Sequence, residues 1–334
     1  MKIVALLLKY DYGIKERGDS LEKKAFFPAL QSISKEVSVF WLEENGFWDD
    51  RAQLQKNILE FVRKENPNIV FFILMKDEIT IDTIEQLSKK YITINWFCDD
   101  QWRFENFTKF IAPKLTYAIT TDKFSLSKYK SINCKNVILS QWASFKFIEN
   151  INFENINYKY DISFIGGKNS TREWIIKRLK IKGYKVQCFG YGWKNGRISF
   201  DKMQEIFLTS KINLNLTNSI IYDIRYWISN ICNIRVLKDI ILCKKNVEQI
   251  KARNFEIPCF GGFELTQFTP EIEDYYDIGK EVVAFSNIDD LEMQIKYYLN
   301  NEDRRKEITI KGYQRSKTYT YKEVLKEVFK KVSL

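Results

Sequence analysis

The sequence predicts an α/β protein with two Rossmann-like domains in tandem. Short apolar runs alternate with amphipathic stretches along most of the chain, which is typical of parallel sheets covered by helices. The alternation is interrupted once, by the polar, Asn-rich segment 149–157, and then starts again. The length of 334 residues also exceeds the size at which a single hydrophobic core stops growing. We therefore expect domains at 1–152 and 158–315, followed by a C-terminal helical segment at 316–334 that packs back on the first domain.

The first half contains six apolar runs separated by amphipathic stretches. The runs predict strands at 2–8, 37–42, 68–74, 91–97, 115–120 and 137–139, and the stretches predict helices near 20–34, 51–65, 81–90 and 125–129. Each run is far shorter than the roughly 20 apolar residues that a membrane-spanning helix needs. The runs are therefore interpreted as buried strands.

The second half repeats the pattern. Its apolar runs predict strands at 160–165, 185–189, 212–216, 263–266 and 281–285, and helices are expected near 172–182, 200–209, 247–257, 288–300, 303–317 and 321–331. Residues 218–246 fit neither pattern, so we expect an irregular, aromatic-rich excursion there. Apolar residues at helical spacing in the last helix predict that it packs on a neighbouring surface.

The composition removes several classes of chemistry. The chain has 53 Lys and Arg, 43 Asp and Glu and no histidine, so its formal net charge is +10. Without an imidazole there is no Ser-His-Asp or Cys-His nucleophile and no zinc site with a His ligand. Acid–base chemistry must then use Asp, Glu, Lys, Tyr or Cys. The six cysteines form no CxxC pair, which indicates buried thiols and, since no signal-peptide pattern is seen, a cytoplasmic location.

In each half, one glycine-containing turn follows the first strand, at the end of the sheet where open α/β sheets bind their ligands. Gly13 lies in the first of them, and Gly166, Gly167, Lys168 and Arg172 lie in the second. Glycines let the backbone approach a phosphate, and the helix that follows offers its N-terminal N–H groups. We expect these residues to bind a nucleotide-containing ligand, although each turn is also compatible with an ordinary strand-to-helix connection.

A third turn contains Gly190, Tyr191, Gly192 and Trp193 after the strand predicted at 185–189. A glycine-rich turn with two aromatic side chains is suited to a planar base. A turn packed by its own aromatic residues is about equally compatible with the sequence.

The segment 95–104 places carboxylates and aromatic side chains at the end of the strand predicted at 91–97. Carboxylates accept hydrogen bonds from sugar hydroxyls, and aromatic faces stack on the C–H faces of sugars. We therefore expect Asp99 or Asp100 to act in catalysis, and Trp96, Trp102 and Arg103 to contact an acceptor or a sugar. The alternative is an aspartate that caps a helix, with both tryptophans in the core.

The segment 248–266 combines acidic and basic residues before a predicted strand. Glu248 and Glu256 are separated by Lys251 and Arg253. A carboxylate can accept both hydroxyls of a ribose diol, and nearby cations can neutralise a diphosphate. On its own, however, this pattern is also compatible with the solvated face of a helix.

Residues 251–258, followed by Gly261-Gly262-Phe263 and Leu265-Thr266, resemble the signature of CgeB-like bacterial glycosyltransferases, a group related to the retaining "glycosyl transferases group 1" families. Segments 95–104, 163–172 and 189–193 are similar to other motifs of that group. The resemblance implies a GT-B fold, in which two Rossmann-like domains face each other across a cleft. It also implies that the N-terminal domain holds the acceptor and the C-terminal domain holds the donor.

The resemblance also implies roles for the acidic residues. Glu256 matches the glutamate that binds the nucleotide ribose, and Glu248, eight residues earlier, matches the one near the donor sugar. Asn254 belongs to the same nucleotide-binding segment. Glu264 lies eight residues after Glu256, so the spacing allows two registers, of which the Gly261-Gly262 pair favours the first. Histidines that many relatives carry beside the donor sugar and near Tyr319 have no counterpart.

The expected function is transfer of a sugar from a nucleotide diphosphate sugar to a glycan, lipid-linked or protein acceptor in bacterial surface polysaccharide or glycoconjugate synthesis. The resemblance implies a retaining, hexosyltransferase-like enzyme. Lys168, Arg172, Lys251 and Arg253 would neutralise the leaving diphosphate together with helix N-termini, so we expect neither a metal nor another cofactor. The net positive charge allows peripheral association with an anionic membrane, and we expect no nucleic-acid partner. The alternative is a non-catalytic protein that binds nucleotide sugars or polyanions such as nucleic acid.

Overall fold

The computed structural model describes residues 1–219, 221–242 and 248–332, and these form two compact units. One unit contains residues 1–145 together with the chain from Thr320 onward, and the other contains residues 146–319. Each unit has one parallel sheet with helices, which confirms the predicted α/β class.

The first unit is built on a six-stranded sheet. Its strands are β1 (Lys2–Leu7), β2 (Glu36–Trp41), β3 (Ile69–Phe72), β4 (Ile92–Phe97), β5 (Tyr117–Thr120) and β6 (Val137–Leu139). They are ordered β2-β1-β3-β4-β5-β6, and every neighbouring pair is parallel. The helices between them are α1 (Phe27–Ile33), α2 (Arg51–Glu65), α3 (Ile81–Ser88), α4 (Asp100–Arg103), α5 (Lys109–Ile111) and α6 (Leu126–Ser131).

Strand β1 shows why continuous apolar runs located the strands correctly. Ile3 and Leu7 belong to one hydrophobic cluster, whereas Val4 and Leu6 belong to another. A parallel sheet covered by helices on both faces buries every side chain of a central strand, so such strands are apolar throughout. The two clusters are the cores on the two faces of the sheet.

The second unit contains a five-stranded sheet. Its strands are β7 (Tyr160–Ile165), β8 (Val186–Phe189), β9 (Ser210–Asn215), β10 (Glu264–Gln267) and β11 (Val283–Phe285), ordered β11-β10-β9-β7-β8 and all parallel. The helices are α7 (Ser170–Ile181), α8 (Phe200–Leu208), α9 (Ile224–Ser229), α10 (Ile234–Leu242), α11 (Arg253–Cys259), α12 (Ile272–Tyr275), α13 (Ile288–Asn300) and α14 (Glu302–Ser316).

Two predicted segments of the second unit differ from the structure. The segment expected to be irregular contains α9 and α10, and α9 begins where the Asp223 carboxylate accepts a hydrogen bond from the Arg225 N–H. The helix predicted from 247 begins only at Arg253, while Val247 itself lies outside the described residues. Its late start has a local cause, because the Asn254 side chain accepts from the Lys251 N–H at 3.0 Å and competes with helical hydrogen bonding.

The boundary between the units also differs from the expected residue 152. Residues from Lys146 onward already belong to the second unit. The Tyr313 hydroxyl donates to the Ile148 carbonyl at 2.6 Å, and the Phe147 ring stacks on the Tyr313 ring with 4.6 Å between centroids. These contacts fix the start of the second unit before the Asn-rich segment.

The last helix, α15 (Tyr321–Lys330), belongs to the first unit. Tyr321 and Leu325 are buried in the same cluster as Phe26 and Leu30. The Tyr321 ring lies 4.4 Å from the Phe26 ring, centroid to centroid. Helix α15 therefore contributes to a core whose remaining members come from the first 145 residues.

Replacing Leu325 with Ala should destabilise the first unit selectively. Leu325 is fully buried, and Leu-to-Ala changes in a core cost about 2–5 kcal/mol. Hydrogen exchange measured by mass spectrometry should show faster exchange in β1 and β3, with β7 and β9 unchanged. The control is Lys322→Ala, an exposed position on the same helix. Equal acceleration in both sheets would contradict the assignment of α15 to the first unit.

Candidate functional site

The candidate site lies at the carboxyl edge of the second sheet, where β7 and β9 are neighbours. The chain leaves β7 toward β8 on one side of the sheet, and β9 and β10 follow on the other side. Loops that depart in opposite directions from adjacent strands leave a crevice, which is where open α/β sheets bind ligands. The loop after β7 begins at Gly166, and the loop after β9 begins at Leu216.

The guanidinium of Arg172 ties these two loops together. Its Nη1 donates to the Gly167 carbonyl at 2.8 Å, its Nη2 to the Leu216 carbonyl at 2.7 Å and its Nε to the Thr217 carbonyl at 2.9 Å. The Asn169 side chain caps α7 by accepting from the Arg172 N–H at 2.8 Å. Residue 172 is thereby fixed at the start of the helix.

Arg172 remains a cation in this position. Burial lowers its pKa to about 10, and the nearby charge of Arg253 acts in the same direction, while Glu248 opposes both. A pKa of about 10 leaves the guanidinium protonated at neutral pH. The crevice therefore combines a fixed positive charge with the N-terminus of α7, which also favours anions.

The two glycine turns predicted to bind the donor lie against each other. The Gly166 N–H donates to the Phe189 carbonyl at 2.9 Å, and the Lys168 N–H donates to the Tyr191 carbonyl at 2.8 Å. Gly190 has φ +122°, and a Cβ there would lie 2.4 Å from the Gly166 carbonyl oxygen. Only glycine at position 190 permits this close approach.

The side chains of these turns differ in how they are used. The Trp193 indole N–H donates to the Gly166 carbonyl at 2.9 Å, so this ring braces the turn. Gly192 lies against the Lys168 side chain, whose ammonium is 2.8 Å from a Glu173 carboxylate oxygen. Tyr191 is 70% exposed. Of the two aromatic rings, Tyr191 is the one available to stack on a base.

Arg253 and Glu256 form an ion pair at the start of α11. The Arg253 Nη1 donates to the Glu256 carboxylate, and its Nε donates to the carbonyl of Ile165, the last residue of β7, at 3.3 Å. Glu256 is only 1% exposed. Burial raises the pKa of Glu256, and the Arg253 charge opposes that effect. The carboxylate thus holds the Arg253 guanidinium beside the crevice.

Glu248 lies before α11 and borders a cavity of 280 Å³. Its Oε1 accepts hydrogen bonds from the Ser219 hydroxyl and from the Gln267 amide, the latter at 2.8 Å. Burial raises the pKa of the Glu248 carboxyl. Hydrogen bonds from the Ser219 and Thr217 hydroxyls and the charges of Arg172 and Lys251 lower it. Sequence motifs did not reveal Ser219 and Gln267 as the residues that orient Glu248, since neither belongs to a recognisable pattern.

Glu264 and Asn254 form a buried network under α11. Glu264 is 2% exposed, and its Oε1 accepts from the Asn215 amide at 2.9 Å and from the Asn254 amide at 3.0 Å. The Asn254 amide also donates to the Thr266 hydroxyl at 3.1 Å. Asn254 is thus buried, and its polar atoms hold the chain in place. Glu264 is likewise buried, as is Glu256.

The first unit contradicts two of the predictions made for the segment 95–104. Trp96 has no exposed surface and packs against Phe26 with 5.1 Å between ring centroids, so it cannot stack on a sugar. Asp100 is 1% exposed, and its carboxylate accepts from three hydroxyls, those of Thr108, Thr120 and Tyr129, at 2.6–2.7 Å. These bonds satisfy Asp100 within the core and leave it no role in catalysis.

Gly13 is a further correction. It is buried with φ +73°, and a Cβ there would lie 3.1 Å from the Trp48 ring. The Trp48 indole N–H donates to the Gly13 carbonyl at 2.8 Å. The aromatic ring covers the glycine, so the predicted ligand-binding turn is a packed turn.

Three residues of the segment 95–104 remain candidates. Asp99 is partly exposed and adopts φ +64°, a left-handed conformation that is uncommon outside glycine and recurs at functional sites. Trp102 and Arg103 line a cavity of 690 Å³ in the first unit. The predicted acceptor-side roles of these three residues stay predictions.

The fold resembles solved GT-B glycosyltransferases. Sucrose-phosphate synthase from Thermosynechococcus elongatus superposes with a TM-score of 0.62 at 8% identity, over 99% of this chain and 98% of that one. HepE from Anabaena, solved in complex with UDP and glucose, has a TM-score of 0.61 at 10% identity, over 99% and 100%. The lipopolysaccharide outer core galactosyltransferase WaaB has a TM-score of 0.57 at 10% identity, also over 99% and 100%. These similarities define the fold class as GT-B.

The sequence itself supports the same class. Residues 172–330 match the family model described as glycosyl transferase-like. That stretch begins at Arg172 and includes Glu248, Arg253 and Glu256. Residues 172–330 are thus glycosyl transferase-like in sequence, and the fold of the chain is of the GT-B class. No curated protein matches it closely enough to count as a relative.

Within 1–219, 221–242 and 248–332, no helix is both long and apolar enough to span a bilayer. In the same residues, no three Cys, Asp or Glu side chains come together as a potential metal site.

The buried Glu264 carboxyl should make stability depend on pH. Burial raises its pKa to about 8 from an ordinary value of 4.5. The folded state keeps this proton, so its contribution is fully present below about pH 4.5 and is lost as the pH rises to about 8, by up to about 1.4 kcal/mol per pH unit. Glu264→Gln should remove that dependence, because the amide oxygen can still accept from both asparagines.

Urea unfolding of the wild type and Glu264→Gln at pH 5, 6, 7 and 8 measures this effect. The free-energy difference between the two proteins should change steadily with pH in favour of the variant. Glu273→Gln, at an exposed position of the same unit, is the control and should follow the wild type. Parallel curves for wild type and Glu264→Gln would contradict the raised pKa.

Proposed function

We propose that the protein transfers a sugar from a nucleotide diphosphate sugar to a glycan, lipid-linked or protein acceptor, as the CgeB-like resemblance suggests. The proposal rests on one observation: the crevice between β7 and β9 places the charges of Arg172 and Arg253 beside Glu248 and the N-terminus of α7. Cations and helix N–H groups suit a diphosphate, and a carboxylate suits sugar hydroxyls. Residues 172–330 match the glycosyl transferase-like family over this same region.

The reaction breaks the bond between the anomeric carbon and the diphosphate oxygen. The diphosphate leaves with the electron pair, so negative charge grows on its oxygens and is stabilised by Arg172 and Arg253. The acceptor oxygen bonds to the anomeric carbon, and its proton passes to a carboxylate or to the departing diphosphate, since the chain has no histidine. Neutralisation by arginines supports a mechanism without a metal or another cofactor, and the resemblance supports retention at the anomeric carbon.

The roles of the donor residues follow from their placement. Glu248 would contact the donor sugar from the edge of its cavity, and Tyr191 would stack on the base. Glu256 would act on the nucleotide mainly by holding Arg253, because its carboxylate is covered by that guanidinium. Binding of a ribose diol by Glu256, as the resemblance suggests, requires the Arg253 side chain to move aside.

The cellular role is proposed from the same class. HepE was solved with UDP and glucose, and WaaB acts on the outer core of lipopolysaccharide. By analogy, we propose a UDP-sugar or related donor and a role in bacterial surface polysaccharide or glycoconjugate synthesis. The protein would work in the cytoplasm. Its net charge of +10 would favour peripheral contact with an anionic membrane.

A thermal-shift panel of UDP, GDP, ADP, dTDP and CMP sugars tests donor binding. A ligand that binds only the folded state stabilises it by about 2.7 kcal/mol at 100 times its Kd, so one nucleotide class should raise Tm clearly. Arg253→Gln should weaken binding of the nucleoside diphosphate by about 10–100-fold, because charge-assisted hydrogen bonds are lost, but should change nucleoside binding little. The control is Arg304→Gln, whose guanidinium pairs with Glu307 elsewhere in the unit.

Glu248→Gln separates binding from chemistry. This variant should bind the donor as the wild type does, while release of nucleoside diphosphate from the donor slows about a hundredfold or more. If no sugar nucleotide shifts Tm, the transferase proposal fails. If one binds tightly but is never consumed, with or without candidate acceptors, the protein is a sugar-nucleotide-binding protein instead.

A further inference from the structure

The first unit contains a second cavity whose lining differs from that of a sugar site. Its volume of 690 Å³ falls within the roughly 300–1,000 Å³ of small-molecule sites. Six of its twelve lining residues are apolar, among them Trp102, Phe107 and Phe110. Phe110 is 53% exposed, so an aromatic ring stands open at this surface.

The cavity also carries an excess of positive charge. Arg51, Lys76 and Arg103 line it, against one carboxylate, that of Asp77. The Arg103 guanidinium lies 4.5 Å from the centre of the Phe107 ring, and Lys76 is exposed. A cation above an aromatic ring presents charge and apolar surface at the same place.

The wall that carries these cations is held in place by buried groups. Glu78 is buried, and its carboxylate accepts from the Met75 N–H at 3.2 Å and the Lys76 N–H at 2.7 Å, which folds the loop after β3 into a tight turn. Arg103 donates to the Met75 carbonyl of that loop, and Arg51 donates to the Asp77 carbonyl. A guanidinium has five N–H groups, so Arg103 can brace the loop and still bind an anion. Arg51 also lies 3.5 Å from the Asp77 carboxylate, which shares its charge.

The lining is unsuited to a free sugar as the main ligand. A hydroxyl-rich ligand needs many hydrogen-bond acceptors, and the lining side chains that can accept are those of Asp77, Thr80 and Asn106. Apolar surface beside three cations suits a ligand with an apolar body and an anionic head. One arginine guanidinium can bind two oxygens of the same phosphate group at once.

We propose that this cavity binds an acceptor made of an apolar chain that ends in a phosphate or diphosphate. The chain would lie along Trp102, Phe107 and Phe110, and the head would lie between Arg51, Lys76 and Arg103. The inference rests on the proposed transferase function and narrows its acceptor to the lipid-linked class.

Binding of farnesyl diphosphate, a soluble probe with this chemistry, tests the proposal. Titration of the full chain without any nucleotide sugar should give saturable binding by calorimetry. Inorganic diphosphate should bind at least about tenfold more weakly, because it lacks the apolar part. Equal affinity for the two compounds, or no binding of farnesyl diphosphate, would overturn the proposal.

Two variants test which residues bind the apolar chain of the ligand and which bind its diphosphate head. Phe110→Ala should weaken farnesyl diphosphate about tenfold and leave inorganic diphosphate unchanged, whereas Arg103→Gln should weaken both. The matched control is Phe124→Ala, whose ring is 55% exposed in the same unit but does not line the cavity. If Phe124→Ala weakens binding as much as Phe110→Ala, the binding is non-specific and the proposal fails.

A binding measurement with phosphatidylglycerol vesicles distinguishes a lipid-linked acceptor in the cavity from contact with a membrane surface. If phosphatidylglycerol vesicles bind the protein through Phe110 while farnesyl diphosphate in solution does not, the cavity is a membrane contact and the proposal is wrong. The thermal-shift panel of nucleotide sugars reports on residues of the second unit, whereas farnesyl diphosphate binding reports on the first unit. Either test can therefore fail without the other. A donor shift without farnesyl diphosphate binding would leave the transferase function standing and reject only the lipid-linked acceptor.

Discussion

The crevice at the carboxyl edge of the second sheet depends on one guanidinium. Arg172 donates to carbonyls in the loops after β7 and β9, two strands at which the chain changes direction across the sheet. The planar fork of an arginine can reach all three carbonyls at once, whereas the single ammonium of a lysine cannot. Burial lowers the pKa of Arg172 only to about 10, so the same group also keeps a positive charge in the crevice at neutral pH. Support of the loops and attraction of an anion therefore come from one side chain.

Burial decides which of the acidic residues can take part in chemistry. Asp100 accepts from three hydroxyls, Glu256 pairs with Arg253, and one oxygen of Glu264 accepts from two amides; each residue is at most 2% exposed. Such groups are costly to leave unpaired inside a protein, and their partners offset that cost. Glu248 and Asp99 keep access to a cavity or to solvent. The acids that organise the fold and the acids that can reach a substrate are thus different residues.

The sequence predicted the positions of the strands well and the burial of individual side chains poorly. Each of the eleven strands in the described residues overlaps a predicted strand, because central strands of covered parallel sheets are largely apolar. Asp100, by contrast, looked catalytic because its partners Thr108, Thr120 and Tyr129 are 8, 20 and 29 residues away in the chain. Hydrogen bonds of that kind arise from tertiary packing and leave no local pattern. Helices α9 and α10 lie in a segment that the sequence predicted to be irregular.

The pKa of Glu248 is set by opposing influences, which matters in a chain without histidine. A proton acceptor works best when its pKa lies near the working pH, and an ordinary carboxylate is too weak a base for that. Burial moves the pKa of Glu248 upward, while Ser219, Arg172 and Lys251 limit the rise and keep the charged form accessible. Burial and the neighbouring groups therefore act on the pKa of this carboxyl in opposite directions. Its hydrogen bonds from Ser219 and Gln267 both fall on one oxygen, which orients the carboxylate at the edge of its cavity.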